Sequence, residues 1–375
     1  MMVPKPQKVF DLGDPECLYE VCRLKYREGC SEREIAKRFG FEEDNRTQIR
    51  KALQRAEETG IVIKPPVAII RPGGLPLDHR SLETQLMYRY GLKYVQVVEG
   101  FSDAYLGQDR NLQNIVLDRM AAAAAAYFDA LMGHTPRAGV VCVNWGYTMQ
   151  LFVSHVLDLE PPQKNIALNH RNEQCTILPM VGIIGTGNRI QVAEREAYVL
   201  ALELARKYDA IPRHLPCPAI IRDREQARIV EQLEPVKNSL DLLRAADIAV
   251  TGVGFVDDRV DLYAEMTIVK QHLLTAEEVN QMRQRGAVGE IANWFFDANG
   301  SELDGNGDGP TSIKPIGLGL SGLRQICQRG GTVIAVCGGD VRRVPALRAC
   351  LGNHAKLLTA LFTDHLTAQE LLEEP

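Results

Sequence analysis

The sequence of 375 residues lacks most features that would fix its class outright. No apolar run reaches the roughly 18 residues a membrane span needs, and the opening Met-Met-Val-Pro-Lys-Pro-Gln-Lys has no apolar signal-peptide core. The expectation is a cytoplasmic protein with no membrane partner. Its nine cysteines are scattered, odd in number and free of any Cys-x-x-Cys pair, which argues against a disulfide framework and a zinc knuckle. They read as buried or idle thiols. Eight histidines show no His-x-x-x-His spacing, so no metal is expected. There is no Walker P-loop and no strand-to-helix glycine fingerprint with its following acid, so no nucleotide cofactor is expected. A net charge of −5 means that any nucleic-acid role must rest on a local patch.

What is present is a soluble globular composition, 45% hydrophobic and 24% charged, over a length that suits two domains. The chain is organised around Gly139-Val-Val-Cys-Val-Asn-Trp-Gly-Tyr-Thr148, where a buried parallel strand hands over to a helix. Gly146 allows a tight turn, Tyr147 follows, and Thr148 sits where helical N–H groups and a hydroxyl converge. Such a point suits a phosphate or another anion, although an ordinary strand-to-helix turn fits these residues equally well.

Toward the N-terminus, Leu18, Val21 and Cys22 mark a first helix, which Gly29 stops. Ser31-Glu-Arg-Glu34 is a capping box for a second, carrying Ile35, Ala36 and Phe39 and ending at Gly40. A third begins near Asp44 or Asn45, with Ile49, Ala52, Leu53 and Ala56 on one face. Its other surface offers Arg46, Thr47, Gln48, Arg50, Lys51, Gln54 and Arg55, and no acid lies between 45 and 55. A basic face can simply be solvated; after two short helices it fits the recognition helix of a helix-turn-helix on double-stranded DNA. Residues 61–70 could add a β wing, and 71–77 read as a linker. The expected division is 1–70 for DNA, 71–77 linker, and 78–375 for an effector.

Beyond the linker, helices are expected at 81–90 and through the alanine run 121–126, with strands at 92–98, 177–184, 215–221, 246–252, 332–337 and 356–361. A helix at 192–206 follows the third of the buried strands. Gly185 and Thr186, Asp257, and Gly338-Gly339 fall at strand C-terminal ends, the edge where a parallel sheet binds its ligand. Asp304-Gly-Asn-Gly-Asp-Gly309 resembles half an EF-hand loop, but its twelfth position is Pro315 where a bidentate Glu is required.

These residues carry a resemblance. Ala56-Glu-Glu-Thr-Gly-Ile-Val62, Leu82-Glu83, Trp145-Gly-Tyr-Thr148, Ala246-Asp-Ile-Ala-Val-Thr-Gly-Val-Gly254, Gly286-Ala-Val-Gly-Glu290, Phe296-Asp297, Gly338-Gly339 and Thr363-Asp364 occur in an order that resembles the SorC-type sugar-binding transcriptional regulators, over nearly the full length. The resemblance implies an α/β protein: an N-terminal helix-turn-helix, winged or plain, then a parallel-sheet, Rossmann-like domain similar to the sugar-phosphate isomerase/deaminase fold without its catalysis. It also implies an operator DNA partner, a small carbohydrate or sugar-phosphate effector, and a homo-dimer or homo-tetramer. Carried over, Gly146, Tyr147 and Thr148 match a phosphate loop, Glu290 faces the sugar, and Gly338-Gly339 match a second phosphate loop. That loop usually continues to a lysine; here it reads Asp340-Val-Arg342-Arg343, and arginine can hold phosphate bidentately. The rival readings are an enzyme using Glu290 or Asp297 as general base and an interaction protein whose helical unit binds protein.

Overall fold

A computed structural model describes residues 10–22, 24–25, 30–41, 46–58, 79–101, 110–134, 139–159, 175–185, 195–257, 266–303, 313–352 and 354–373. The chain divides into two compact units, Met1–Ile69 with Ala130–His134, and Ile70–Asp129 with Thr135–Pro375. The residues expected to form the wing, the linker and the glycine-rich loop 304–309 lie outside the described residues.

The described residues of Met1–Ile69 include the helices α1 (Pro15–Cys22), α2 (Glu32–Arg38) and α3 (Arg46–Glu58). Leu18, Val21, Ile35, Ile49 and Ala52 form their buried centre, as the apolar spacing predicts. The capping box closes both ways: Ser31 N donates to Glu34 Oε2 at 2.7 Å, and Glu34 N donates to Ser31 Oγ at 3.3 Å. Such caps contribute about 0.5–2 kcal/mol, a large share for so small a core. Gly40, at φ 77°, takes the left-handed conformation that ends α2.

The second unit is built on a parallel sheet of seven strands. They are β1 (Tyr94–Val98), β2 (Val140–Val143), β3 (Thr176–Pro179), β4 (Ile211–Pro212), β6 (Ile248–Gly252), β11 (Thr332–Val336) and β12 (Ala360–Asp364), ordered β1-β12-β11-β6-β2-β3-β4. Continuous apolar strands such as Val141-Cys-Val143 and Val333-Ile-Ala-Val336 are buried because helices cover both faces. The order reverses between β2 and β6: from β2 the chain builds outward through β3 and β4, then returns to place β6 on the other flank. A crevice at such a reversal, beyond the strand C-terminal ends, is where open α/β sheets bind ligands. Smaller antiparallel pieces join β5 (Ile220–Ile221) to β10 (Lys314–Pro315), and β7 (Gly254–Phe255) to β8 (Gly289–Ile291) to β9 (Trp294–Phe296).

Several sequence expectations need correction. The strand expected at 177–184 is β3 alone; Val181 and Ile183 leave the sheet to bridge Gly317 and Pro218. Of 215–221 only β5 is strand, paired antiparallel, because Pro216 and Pro218 supply no ladder donors. The last strand is Ala360–Asp364 rather than 356–361, since Lys356 turns at φ 43°. The helix expected at 192–206 is Ala197–Lys207. Finally, Gly317-Leu-Gly-Leu-Ser-Gly322 does carry a dinucleotide-type glycine spacing. No strand of the parallel sheet precedes it, and a Cβ at Gly317 would lie 2.1 Å from Met180 O, so that glycine serves packing.

Candidate functional site

On α3, Arg46, Thr47, Arg50, Lys51, Gln54 and Arg55 are exposed and Gln48 is half-buried, while Ile49, Ala52, Leu53 and Ala56 face the core. The amphipathic division read from the sequence therefore holds. Arg50 Nε donates to Glu32 Oε2 at 2.8 Å, tying α3 to the first turn of α2.

The second cluster lies at the strand ends around the β2/β6 reversal. β2 runs through Asn144 and Trp145 to Gly146, whose φ of 106° admits no ordinary side chain without strain. The helix Tyr147–Asp158 starts there, and its first helical bond runs from Gln150 N to Gly146 O at 2.9 Å. The N–H groups of Tyr147, Thr148 and Met149 come before that bond, at the positive end of the helix. Asn144 Nδ2 donates to Thr251 Oγ1 at 2.9 Å, a buried bond that fixes the ends of β2 and β6 against each other. Arg195 stacks on Tyr147 at 4.9 Å and donates through Nε to Gln150 Oε1 at 3.1 Å. Nothing in the sequence singled out Arg195, because stacking across a loop leaves no spacing signal.

Beyond β6, Gly254 lies so close to Glu290 that a Cβ there would be 2.3 Å from its Oε1. The half-buried Glu290 accepts from Asn293 N at 3.0 Å. Burial pushes its carboxyl above the ordinary range, while the Asn293 N–H and the Arg343 charge pull it back down. Arg343 donates to Val253 O at 3.1 Å and lies over the Phe255 ring at 5.0 Å. Its Nε is buried without a partner. Arg342 is differently placed: Nη1 donates to Asp257 Oδ2 at 2.8 Å and Nη2 to Asp340 Oδ2 at 2.5 Å. Asp257, Glu290, Arg342 and Arg343 are thus brought together around Phe255.

Two expected anion loops are already occupied. Gly339 N donates to the buried Asp364 Oδ2 at 2.5 Å, and a Cβ at Gly338 would fall 2.4 Å from the same oxygen. Asp364 also caps the final helix through Leu366 N and Thr367 N, both at 3.1 Å. Gly338-Gly339 therefore admit an internal carboxylate. Gly185, at φ 83°, gives its N–H to the buried Glu196 at 2.9 Å. Burial raises the Glu196 carboxyl, against the lowering effect of the Ile184 and Gly185 N–H groups. Thr186 lies outside the described residues. No group of three or more metal-ligating side chains occurs among the described residues. Nor is any helix among them long and apolar enough to cross a membrane.

A family model described as "Putative sugar-binding domain" matches residues 76–373. The chain belongs to the SorC-type family of sugar-binding transcriptional regulators. It is 26% identical over 356 residues to the deoxyribonucleoside regulator of Bacillus subtilis, covering 95% of this chain and 96% of that one. It is 23% identical over 362 residues to the sorbitol operon regulator of Klebsiella pneumoniae, covering 96% and 98%. The solved structure of the full-length sorbitol operon regulator SorC from Klebsiella pneumoniae superposes with a TM-score of 0.62 at 22% identity, covering 96% of this chain and 99% of that chain. As a member of this family, the chain is a transcriptional regulator with a sugar-binding domain.

Proposed function

We propose that this regulator binds operator DNA through the exposed face of α3, and that a small sugar carrying an anionic group binds at the β2/β6 strand ends and shifts its DNA affinity. The observation that carries the effector reading is Gly146: its backbone opens a helix N-terminus at the sheet's reversal point, while Glu290 and the unpartnered Arg343 Nε lie beyond the end of the neighbouring β6. Thr148 and Arg343 are the residues assigned to the anion, with Glu290 facing hydroxyls. The occupied loops at Gly185 and Gly339 leave the expected second phosphate contact to the arginines. Residues 71–77 act as the linker between DNA-binding and effector-binding parts, and a homo-dimer or homo-tetramer places two α3 helices on a palindromic site.

Catalysis is not part of this reading. Asp297 Oδ1 accepts from Asn299 N and Ser301 N at 2.9 Å each, which ties this carboxylate into its own turn. The deciding experiment is fluorescence anisotropy on DNA from the regulator's own promoter, with sugars and sugar phosphates added and their turnover followed in parallel. A sugar phosphate should move the DNA affinity without being consumed. Turnover with no effect on DNA would replace the regulator reading with the enzyme one.

A further inference from the structure

The hairpin that carries Glu290 has another side. At its tip Ala292 and Asn293 sit at φ 54° and 73°, the left-handed pair that a two-residue hairpin turn between Ile291 and Trp294 requires. The Asn293 side chain is 1% exposed, yet neither Oδ1 nor Nδ2 has a hydrogen-bond partner. Buried amides are almost always satisfied, so one left unsatisfied in the wall of a cavity calls for an explanation. It lines a cavity of about 360 Å³ whose walls also include Trp294, Arg224, Arg228, Glu231 and Lys314. None of the sheet-edge residues assigned above lines it. What joins the two places is Asn293 itself, whose backbone N–H donates to Glu290 Oε2 at 3.0 Å.

We propose that this cavity is a second small-molecule site, and that it takes a small hydroxylated anion of the sugar-phosphate or sugar-acid class. Its volume is at the lower end of ligand pockets, about 300–1,000 Å³, which suits one such molecule. Arg224, Arg228 and Lys314 outnumber the carboxylates of Glu231 and Glu302 in the lining, so the field favours an anion. The Asn293 amide offers an acceptor and two donors, the set that pairs with sugar hydroxyls, and the Trp294 indole gives the ring an apolar wall. A ligand that fixes Asn293 also fixes the N–H holding Glu290. The second site is therefore linked to the first, and the linkage is reciprocal.

The only two tryptophans make the test direct: Trp145 adjoins Gly146 at the sheet edge, and Trp294 lines the cavity. Full-length Trp145→Phe protein would be titrated with glucose 6-phosphate, gluconate and inorganic phosphate while Trp294 emission is read. At least one of the two hydroxylated probes should give a saturable change that survives Thr148→Val. Asn293→Gly and Arg228→Ala should each raise its dissociation constant tenfold or more; glycine keeps the positive φ, so the hairpin is preserved. Which probe binds separates phosphate from carboxylate. Overturning results are no change with either probe, a change abolished by Thr148→Val, or one that neither cavity variant affects. Inorganic phosphate binding as tightly as the hydroxylated probes would likewise remove the sugar class. A response confined to Trp294→Phe protein would overturn the second site and leave the sheet-edge reading standing.

Discussion

Arginines 342 and 343 are adjacent in sequence, and the structure predicts opposite consequences for the anion they flank. Arg342 is neutralised: Nε reaches both Asp340 oxygens at 3.0 and 3.1 Å, Nη2 adds a third contact to that carboxylate, and Nη1 goes to Asp257. Arg343 keeps a buried, unpartnered Nε, donates through Nη1 to Val253 O and makes no carboxylate ion pair among the described residues. On the proposed reading, a phosphate bound by Thr148 gains a charge-assisted bond from Arg343. Arg343→Ala should cost about 1.5–3 kcal/mol, a loss of roughly ten- to a hundredfold. Asp340→Asn should act the other way. Its amide oxygen still accepts from Arg342 N, now at 3.0 Å, so the turn persists while one negative charge disappears and Arg342 gains spare donors. The structure then predicts a gain of about 1 kcal/mol, near fivefold, reduced by the exposure of the pair. Titration calorimetry with a sugar phosphate and its unphosphorylated parent sugar isolates the phosphate contribution. If both variants change the two affinities equally, or if Asp340→Asn weakens the phosphate, the division of labour between these arginines is refuted.

Two further predictions concern Glu290 and Arg50. Burial raises the Glu290 carboxyl, so the folded state holds its proton to higher pH than the unfolded chain; this contribution is complete below the ordinary carboxylate range and is lost as pH rises through the raised value. Glu290→Gln should flatten that decline, and thermal melts of both proteins at about pH 4 to 8 should converge at the acid end. If α3 meets DNA as proposed, Glu32 of α2 competes with it for Arg50, so Glu32→Gln should tighten operator binding and steepen its dependence on log salt by about one unit, whereas Arg50→Ala should weaken binding. An unchanged salt slope in both variants would take Arg50 off the DNA.

Much of this was legible because it depended on neighbours in sequence. The Ser31/Glu34 box, the α3 faces and the strand-glycine-helix passage at residues 140–148 are set by spacings of three, four or a few residues. The errors fell where distant partners decide. Val181 and Ile183 have strand-forming side chains but pair with Gly317 and Pro218, and the apolar Leu357-Leu358 is buried in the irregular stretch between the turn at 354–355 and β12. The occupied loops show the same limit. A glycine pair after a strand reads as an open anion cradle, and only the fold reveals that Asp364, 25 residues on, already fills it.

That occupancy bears on how such a site can respond to a ligand. Asp364 caps the last helix and takes the Gly339 N–H with the same carboxylate, so the loop after β11 is fixed to the end of β12 before any effector arrives. The loop after β7 is tied to it through Arg342, which holds Asp257 and Asp340 together. On the proposed reading, an effector contacting Arg343 and Thr148 meets one side braced by carboxylates and another, the β2 end, held by Asn144 Nδ2 to Thr251 Oγ1, Asn144 N to Val250 O, Gly146 N to Arg195 O and the Tyr147–Arg195 stack. A ligand shifts an equilibrium only through elements whose two states it binds differently. If the effector binds as proposed, the carboxylate-braced β11–β12 side offers less to shift, and the response is expected at Gly146 and the helix it opens.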